Sequence, residues 1–191
     1  MPRPRLSTAS VVDAAVELVD ERGPGALTLA AIARRTGVAT PSLYKHVRSV
    51  EALQQKVSAR VTAQLANALS TAVAGRSGED ALRSLAQAYR DYALSHPGRY
   101  SLTQRVPDAQ DPQHLAAGER AVQAVSAALR GYGLLGDNAI DATRVARSAL
   151  HGFVSLEIDG GFGLPHDVGR SFECCVSALD VSLRNWAEVA R

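Results

Sequence analysis

Residues 28 to 46, Thr-Leu-Ala-Ala-Ile-Ala-Arg-Arg-Thr-Gly-Val-Ala-Thr-Pro-Ser-Leu-Tyr-Lys-His, carry the pattern that most constrains this chain, two short helical segments hinged on a glycine. Thr28 suits an N-cap, and Leu29, Ile32 and Ala33 follow at i, i+3 and i+4, so a helix over about 29–35 has one apolar face. Gly37 stops it, because the residue past a helix end commonly takes the left-handed conformation that glycine reaches without steric cost. Val38 anchors the turn. Thr40 is placed to cap a second helix with Pro41 at its first position, where a fixed φ helps and no hydrogen bond is lost. Leu43 and Val47 point inward, leaving Thr40, Ser42, Tyr44, Lys45 and His46 outward. A helix this short does not persist alone, so neighbours must clamp it. The arrangement is a helix-turn-helix, whose second helix fits a DNA major groove.

The remainder reads as helix throughout, and no alternating β pattern longer than a few residues appears, so the fold class is all-α. Ser10 can cap a first helix with Val12, Ala15, Val16 and Val19 on one face, ending at Gly23-Pro24-Gly25. Ser49 can cap a long fourth helix in which Leu53, Val57, Val61, Leu65 and Leu69 repeat every four residues. Residues 74–78 form a break. Helices follow from Glu79 to about Ser95, ended by His96-Pro97-Gly98, and from about Pro112 to Gly131. The last two, Asn138 to Ile158 and Val168 to Ala190, are apolar on more than one stripe. A helix broader than one apolar face must bury two sides, and a second copy of the chain is the simplest partner. The expected interface residues are Phe153, Phe172, Cys175, Val176, Leu179, Leu183 and Trp186. Two such helices from each subunit would form a four-helix interface burying roughly 2,000 Å² or more.

Charge is uneven along the chain. Residues 1–60 hold nine Lys/Arg against five acids, while the other 131 residues hold 12 against 14, within an overall net charge of +2. Basic charge therefore collects around the helix-turn-helix, the footprint of a phosphate-binding face. Arg34 and Arg35 suit that role or an ordinary solvated surface equally. Pro2-Arg3-Pro4-Arg5 is a stiff basic arm, either disordered or able to reach a minor groove. With no run of 18 apolar residues and no amino-terminal h-region, neither a membrane span nor a secretory signal is expected, and a cytoplasmic location follows. Adjacent Cys174 and Cys175 cannot form an ordinary staple and fit a reducing compartment.

The run "LTLAAIARRTGVATPSLYKHV", preceded by "VVDAAVELVDERGPGA" and followed by "RSVEALQQKV", resembles the DNA-binding domain of TetR-type transcriptional repressors, close to the tetracycline repressor branch. The segment "LHGFVSLEIDGGFGLP" resembles a carboxy-terminal variety with a Trp-His-Gly signature, although Leu150 stands in the tryptophan position. The resemblance implies an arm over 1–7, a helix-turn-helix domain over 8–48, a connecting helix over 49–74, and a ligand-binding and dimerisation domain over 79–191, about nine helices in all. A homodimer would present two recognition helices about 34 to 36 Å apart and read a palindromic operator in double-stranded DNA. By resemblance Thr40 and Ser42 meet base edges, Pro41 meets a thymine methyl, Thr28, Tyr44 and His46 meet phosphates, and Lys45 does either, with Arg48 close by. Ala30, Ala31 and Val50 stand where relatives often carry basic residues, so phosphate grip must lean on other groups.

The resemblance also implies an unknown small-molecule effector that tilts the fourth helix and releases DNA. Tyr89, Tyr92, Arg105, His114 and His151 are candidate lining groups among small side chains that favour an apolar or aromatic effector. Each also has an ordinary packing role. No Gly-x-Ser-x-Gly, phosphate-cradling glycine loop or His-Glu-x-x-His is present, so no enzyme, cofactor or metal centre is expected. Two rival readings are a redox- or metal-responsive regulator using Cys174 and Cys175 with His166 nearby, and a nonspecific architectural DNA binder.

Overall fold

The computed structural model describes residues 6 to 190, so the basic arm at Arg3 and Arg5 lies outside the described residues. Those residues form ten α-helices and no strand: α1 Thr8–Arg22, α2 Leu29–Thr36, α3 Thr40–Leu43, α4 Val50–Val73, α5 Gly78–Ser95, α6 Pro97–Leu102, α7 Pro112–Leu129, α8 Gly136–Ile158, α9 Val168–Arg184 and α10 Trp186–Val189. The all-α expectation holds. Two short helices were not anticipated. His96-Pro97-Gly98 does end α5, yet Pro97 also starts α6, since its fixed φ suits a first turn. The expected helix to Ala190 breaks at Asn185, whose amide bonds the Val181 carbonyl at 2.9 Å, and resumes as α10.

α1 begins earlier than Ser10. Ser7 is its N-cap, accepting from the Ser10 amide at 3.1 Å, while the Ser10 hydroxyl accepts from the Ser7 amide at 2.9 Å, a reciprocal capping box. Ser49 caps α4 as expected, accepting from the Ala52 amide at 3.1 Å.

The chain folds as two compact units that do not follow linear order. One extends to Gln64 and takes up His96–Gly118; the other holds Leu65–Ser95 and Glu119–Arg191. The first unit thus contains the helix-turn-helix together with α6 and the start of α7. Its core joins Val11, Ala15 and Val19 of α1, Ile32 of α2, Leu43, Val47, Leu53, Val57 and Val61, and Leu102 of α6. The stripe on α4 does what its four-residue period implies. α6 is pressed onto α1: a Cβ on Gly98 would stand 2.7 Å from the Val19 carbonyl oxygen, so only glycine allows the approach. Arg99 adds hydrogen bonds to Asp20 at 2.8 Å and to Gln64 at 3.2 Å.

The second unit packs α5, α8 and α9 against one another. Phe172 lies at its centre, 1% exposed, edge-on to Phe153 at 5.2 Å between ring centroids, with the Arg90 guanidinium 5.0 Å over its ring. Arg90 also grips Glu157 of α8 with two hydrogen bonds of 2.5 and 2.8 Å. Phe172, Val176, Leu179, Leu183 and Trp186 are buried within this unit, and Phe153 and Cys175 are half-buried. Their burial assigns the first five to the core of a single chain rather than to a surface for a second copy. The second partner that a two-sided helix demands is α5. The apolar side chains that remain exposed on these two helices are a different set, Ile140, Val145 and Leu156 of α8 with Cys174, Ala178 and Val181 of α9.

Candidate nucleic-acid interface

Local geometry of the helix-turn-helix follows from its caps. Thr28, extended at φ −132° and ψ 152°, accepts from the Ala31 amide at 3.1 Å and starts α2. Removing that acceptor should cost about 1 kcal/mol. Thr28→Ala is therefore expected to lower the unfolding midpoint in denaturant while leaving the slope unchanged. An unaltered midpoint would show that the cap contributes nothing.

Gly37 ends α2 at φ 70° and ψ 31° in the left-handed region. Its amide reaches the Arg34 carbonyl at 3.4 Å and the Val38 amide reaches the Ala33 carbonyl at 3.0 Å, the paired bonds of a Schellman turn. The second helix starts one residue earlier than expected. Ala39 is the N-cap, its carbonyl accepting from the Ser42 amide at 2.9 Å, so Thr40 and Pro41 form the first turn and Thr40 caps nothing with its side chain. α3 proper covers only Thr40–Leu43, and the Leu43 carbonyl then accepts from both His46 and Val47 amides, at 2.8 and 2.9 Å, to close the turn over Tyr44–His46.

Leu43 and Val47 are buried at 0% and 2% exposure and hold this segment down. Pro41, Ser42, Tyr44, Lys45 and Arg48 are exposed, as is Thr28; Thr40 and His46 are half-buried. Tyr44 is 56% exposed, so its ring does not pack away against α1. One short segment thus presents a proline ring, a hydroxyl, a phenol and an ammonium group together. It offers hydrogen-bond donors and a cation with no carboxylate among its own residues, chemistry matched to phosphates and to base edges.

The two neighbouring arginines separate. Arg35 turns back onto α1, bonding Glu17 at 2.9 Å and Glu21 at 2.7 Å, and these hydrogen bonds hold its guanidinium firmly in the charged form. Its partner Glu21 is correspondingly held below the usual carboxylate range by Arg35. Arg35 orients α2 against α1 and is engaged there. Arg34 is exposed and makes no ion pair among the described residues, a difference from Arg35 that no sequence signal marks.

The amino-terminal residues 11–57 match the model of bacterial regulatory proteins of the tetR family, and residues 82–179 match the tetracyclin repressor-like C-terminal domain. The chain belongs to the TetR family of transcriptional regulators. An uncharacterized HTH-type transcriptional regulator of Mycobacterium tuberculosis is 43% identical over 157 residues, 82% of this chain and 72% of that one. Another from Bacillus subtilis is 33% identical over 171 residues, 89% of this chain and 88% of that one. Among solved structures, a TetR variant of Acinetobacter baumannii in complex with minocycline aligns at TM-score 0.71 and 21% identity, over 95% of this chain and 98% of that one. BioQ of Mycobacterium smegmatis aligns at TM-score 0.70 and 22% identity, covering 94% and 99%. This TetR-family member is thus a DNA-binding regulator, not an enzyme. Among the described residues no helix is long and apolar enough to cross a membrane.

The candidate effector residues are divided between the units. Tyr89 is buried and Tyr92 and His151 half-buried in the second unit, where burial pushes His151 below its usual pKa. Arg105 and His114 fall in the first unit, with the DNA-binding helices.

Proposed function

We propose that this regulator binds a near-palindromic operator as a homodimer, represses transcription there, and leaves the DNA when a small molecule binds it. The observation that carries the reading is the exposed row Pro41, Ser42, Tyr44 and Lys45 held on buried Leu43 and Val47. The apolar exposed stripe of Val145 and Leu156 on α8 and Cys174, Ala178 and Val181 on α9 supports self-association, since adjacent helices share it and a second copy offers the same surface across a two-fold axis. The solved relative in complex with minocycline supports the small-molecule half. Release requires only that the ligand prefer the conformation that does not fit the operator, a coupling of typically about 1–3 kcal/mol.

Selection of bound fragments from random double-stranded DNA tests the first half. One inverted repeat should be enriched, with half-sites about one helical turn apart. On that operator Lys45→Ala should weaken binding roughly tenfold to a hundredfold and, if Lys45 meets a phosphate, flatten the log–log salt slope by about 1. Enrichment of no sequence would overturn the reading in favour of nonspecific DNA binding.

A further inference from the structure

One face of α4 inside the first unit is polar and enclosed. Gln55, Ser58 and Thr62 fall at i, i+3 and i+7, so they share a stripe, and Ser58 and Thr62 are 0% and 8% exposed. His114 of α7, fully buried, places its Nε2 3.2 Å from the Ser58 hydroxyl. That hydroxyl has a single proton and donates it to the Leu102 carbonyl at 2.8 Å, so toward His114 it can only accept. His114 therefore carries its proton on Nε2. Burial also favours the neutral ring, pushing His114 below its usual pKa against the opposing pull of Asp111 and Asp108. A neutral ring protonated at Nε2 leaves Nδ1 as a bare acceptor. Arg105 follows Leu102 by three residues, and its charge is felt by Glu51, one turn before Gln55 on α4.

Four enclosed side-chain atoms lack a hydrogen-bond partner, two on this stripe of α4, one on the segment after α6 and one on α7: Gln55 Oε1, Thr62 Oγ1, Arg105 Nε and His114 Nδ1. Native interiors rarely leave such groups unmet, and four of them on segments that the Ser58 hydroxyl ties together mark a site rather than a packing accident. The unmet set is also chemically specific. Arg105 offers a charged donor, Gln55 and His114 offer acceptors, and Thr62 serves as either. The half-buried Arg105 has no carboxylate within ion-pair distance among the described residues.

We infer that Gln55, Thr62, Arg105 and His114 form the effector site of this regulator, and that it takes a small organic acid also carrying hydroxyl donors. The inference rests on the ligand-released reading above and names its ligand class. A carboxylate sits on the Arg105 guanidinium, and hydroxyls donate to Gln55 Oε1 and to His114 Nδ1. The apolar effector favoured by the chain's many small side chains would leave all four groups unsatisfied and is displaced by this one. Because the site joins α4, the segment after α6 and α7 within the unit that holds the recognition segment, ligand contacts bear directly on that unit.

The experiment uses the full chain and measures binding of glycerate, gentisate and protocatechuate, each an acid with two hydroxyls, by calorimetry, each beside its uncharged methyl ester. At least one acid should bind roughly tenfold or more tightly than its ester, and Arg105→Gln should remove that preference. Thr62→Val supplies a second readout. Removing an orphaned hydroxyl without changing shape should raise the melting temperature of the ligand-free protein by about 2 to 4 °C while weakening the acid. Three acids that bind no better than their esters would overturn the site, as would an Arg105→Gln protein that keeps the preference. If an acid binds in this way but the selected operator stays bound, the site stands and the ligand-release reading fails. If the operator is selected and no acid binds, the regulator stands and the site fails.

Discussion

Leu43→Ala should cost the amino-terminal unit about 2–5 kcal/mol and abolish specific DNA binding. Leu43 is fully buried and is the last residue of α3, a helix of four residues with no side-chain N-cap. Such a helix has nothing of its own to hold it together, because nucleation is unfavourable and only propagation repays it. Its position depends on Leu43 and Val47 inserting among Ile32, Leu53 and Val57. Truncating Leu43 leaves a cavity under the only segment that displays Ser42, Tyr44 and Lys45 in a fixed order. Chemical denaturation followed by circular dichroism should show a lower midpoint, and fluorescence anisotropy with the selected operator should show no saturable binding at micromolar protein. Ser42→Ala is the companion measurement, since Ser42 is exposed and its loss should change affinity with little change in stability. A Leu43→Ala protein with wild-type affinity would mean that the recognition segment is held by something other than this contact.

What was legible in the sequence was whatever local chemistry decides. Thr28, Gly37 and Ser49 act as cap, turn and cap in the structure because each needs only its own backbone conformation and neighbours within a turn. The α4 stripe was legible for the same reason, a regular period that one apolar face must satisfy. The cap of α3 was misplaced by one residue because Ala39 caps with its backbone alone, leaving no side-chain signal to read.

Features set by distant partners were not legible. Arg34 and Arg35 are indistinguishable in sequence, and the difference between them lies in Glu17 and Glu21, fourteen or more residues away. The Ser58 to His114 contact spans 56 residues, so no local signal marks the polar stripe on α4. Likewise, the breadth of the apolar surface on α9 demands two buried sides, and the sequence assigns the second to another copy of the chain because α5, which packs there, is far away in sequence. Asn185 was the one overlooked local cue there, since asparagine commonly ends a helix.

Arg90→Ala should destabilise the second unit by about 3 kcal/mol or more, and the reason is the same arrangement that consumed the expected dimer residues. The Arg90 and Glu157 side chains are only 17% and 15% exposed, so solvent screens their charges weakly. Arg90 joins three helices: it extends from α5, bonds Glu157 of α8 and lies over Phe172 of α9. Deleting it leaves a carboxylate enclosed without its counter-charge and an aromatic ring without its cation. The pair itself carries less net stability than that figure, because two desolvated ions offset most of their mutual attraction. The double variant Arg90→Met with Glu157→Leu should therefore recover much of the loss, and a double-mutant cycle on unfolding free energy reads the difference. If the double variant is instead less stable than Arg90→Ala, the pair is a net stabiliser of α5, α8 and α9 rather than a mutual dependence. Either variant also tests self-association, because Val145, Leu156, Ala178 and Val181 lie on the same α8 and α9 that this pair helps to align. On the proposed self-association, Arg90→Ala should sediment as a smaller species and the double variant should restore the larger one.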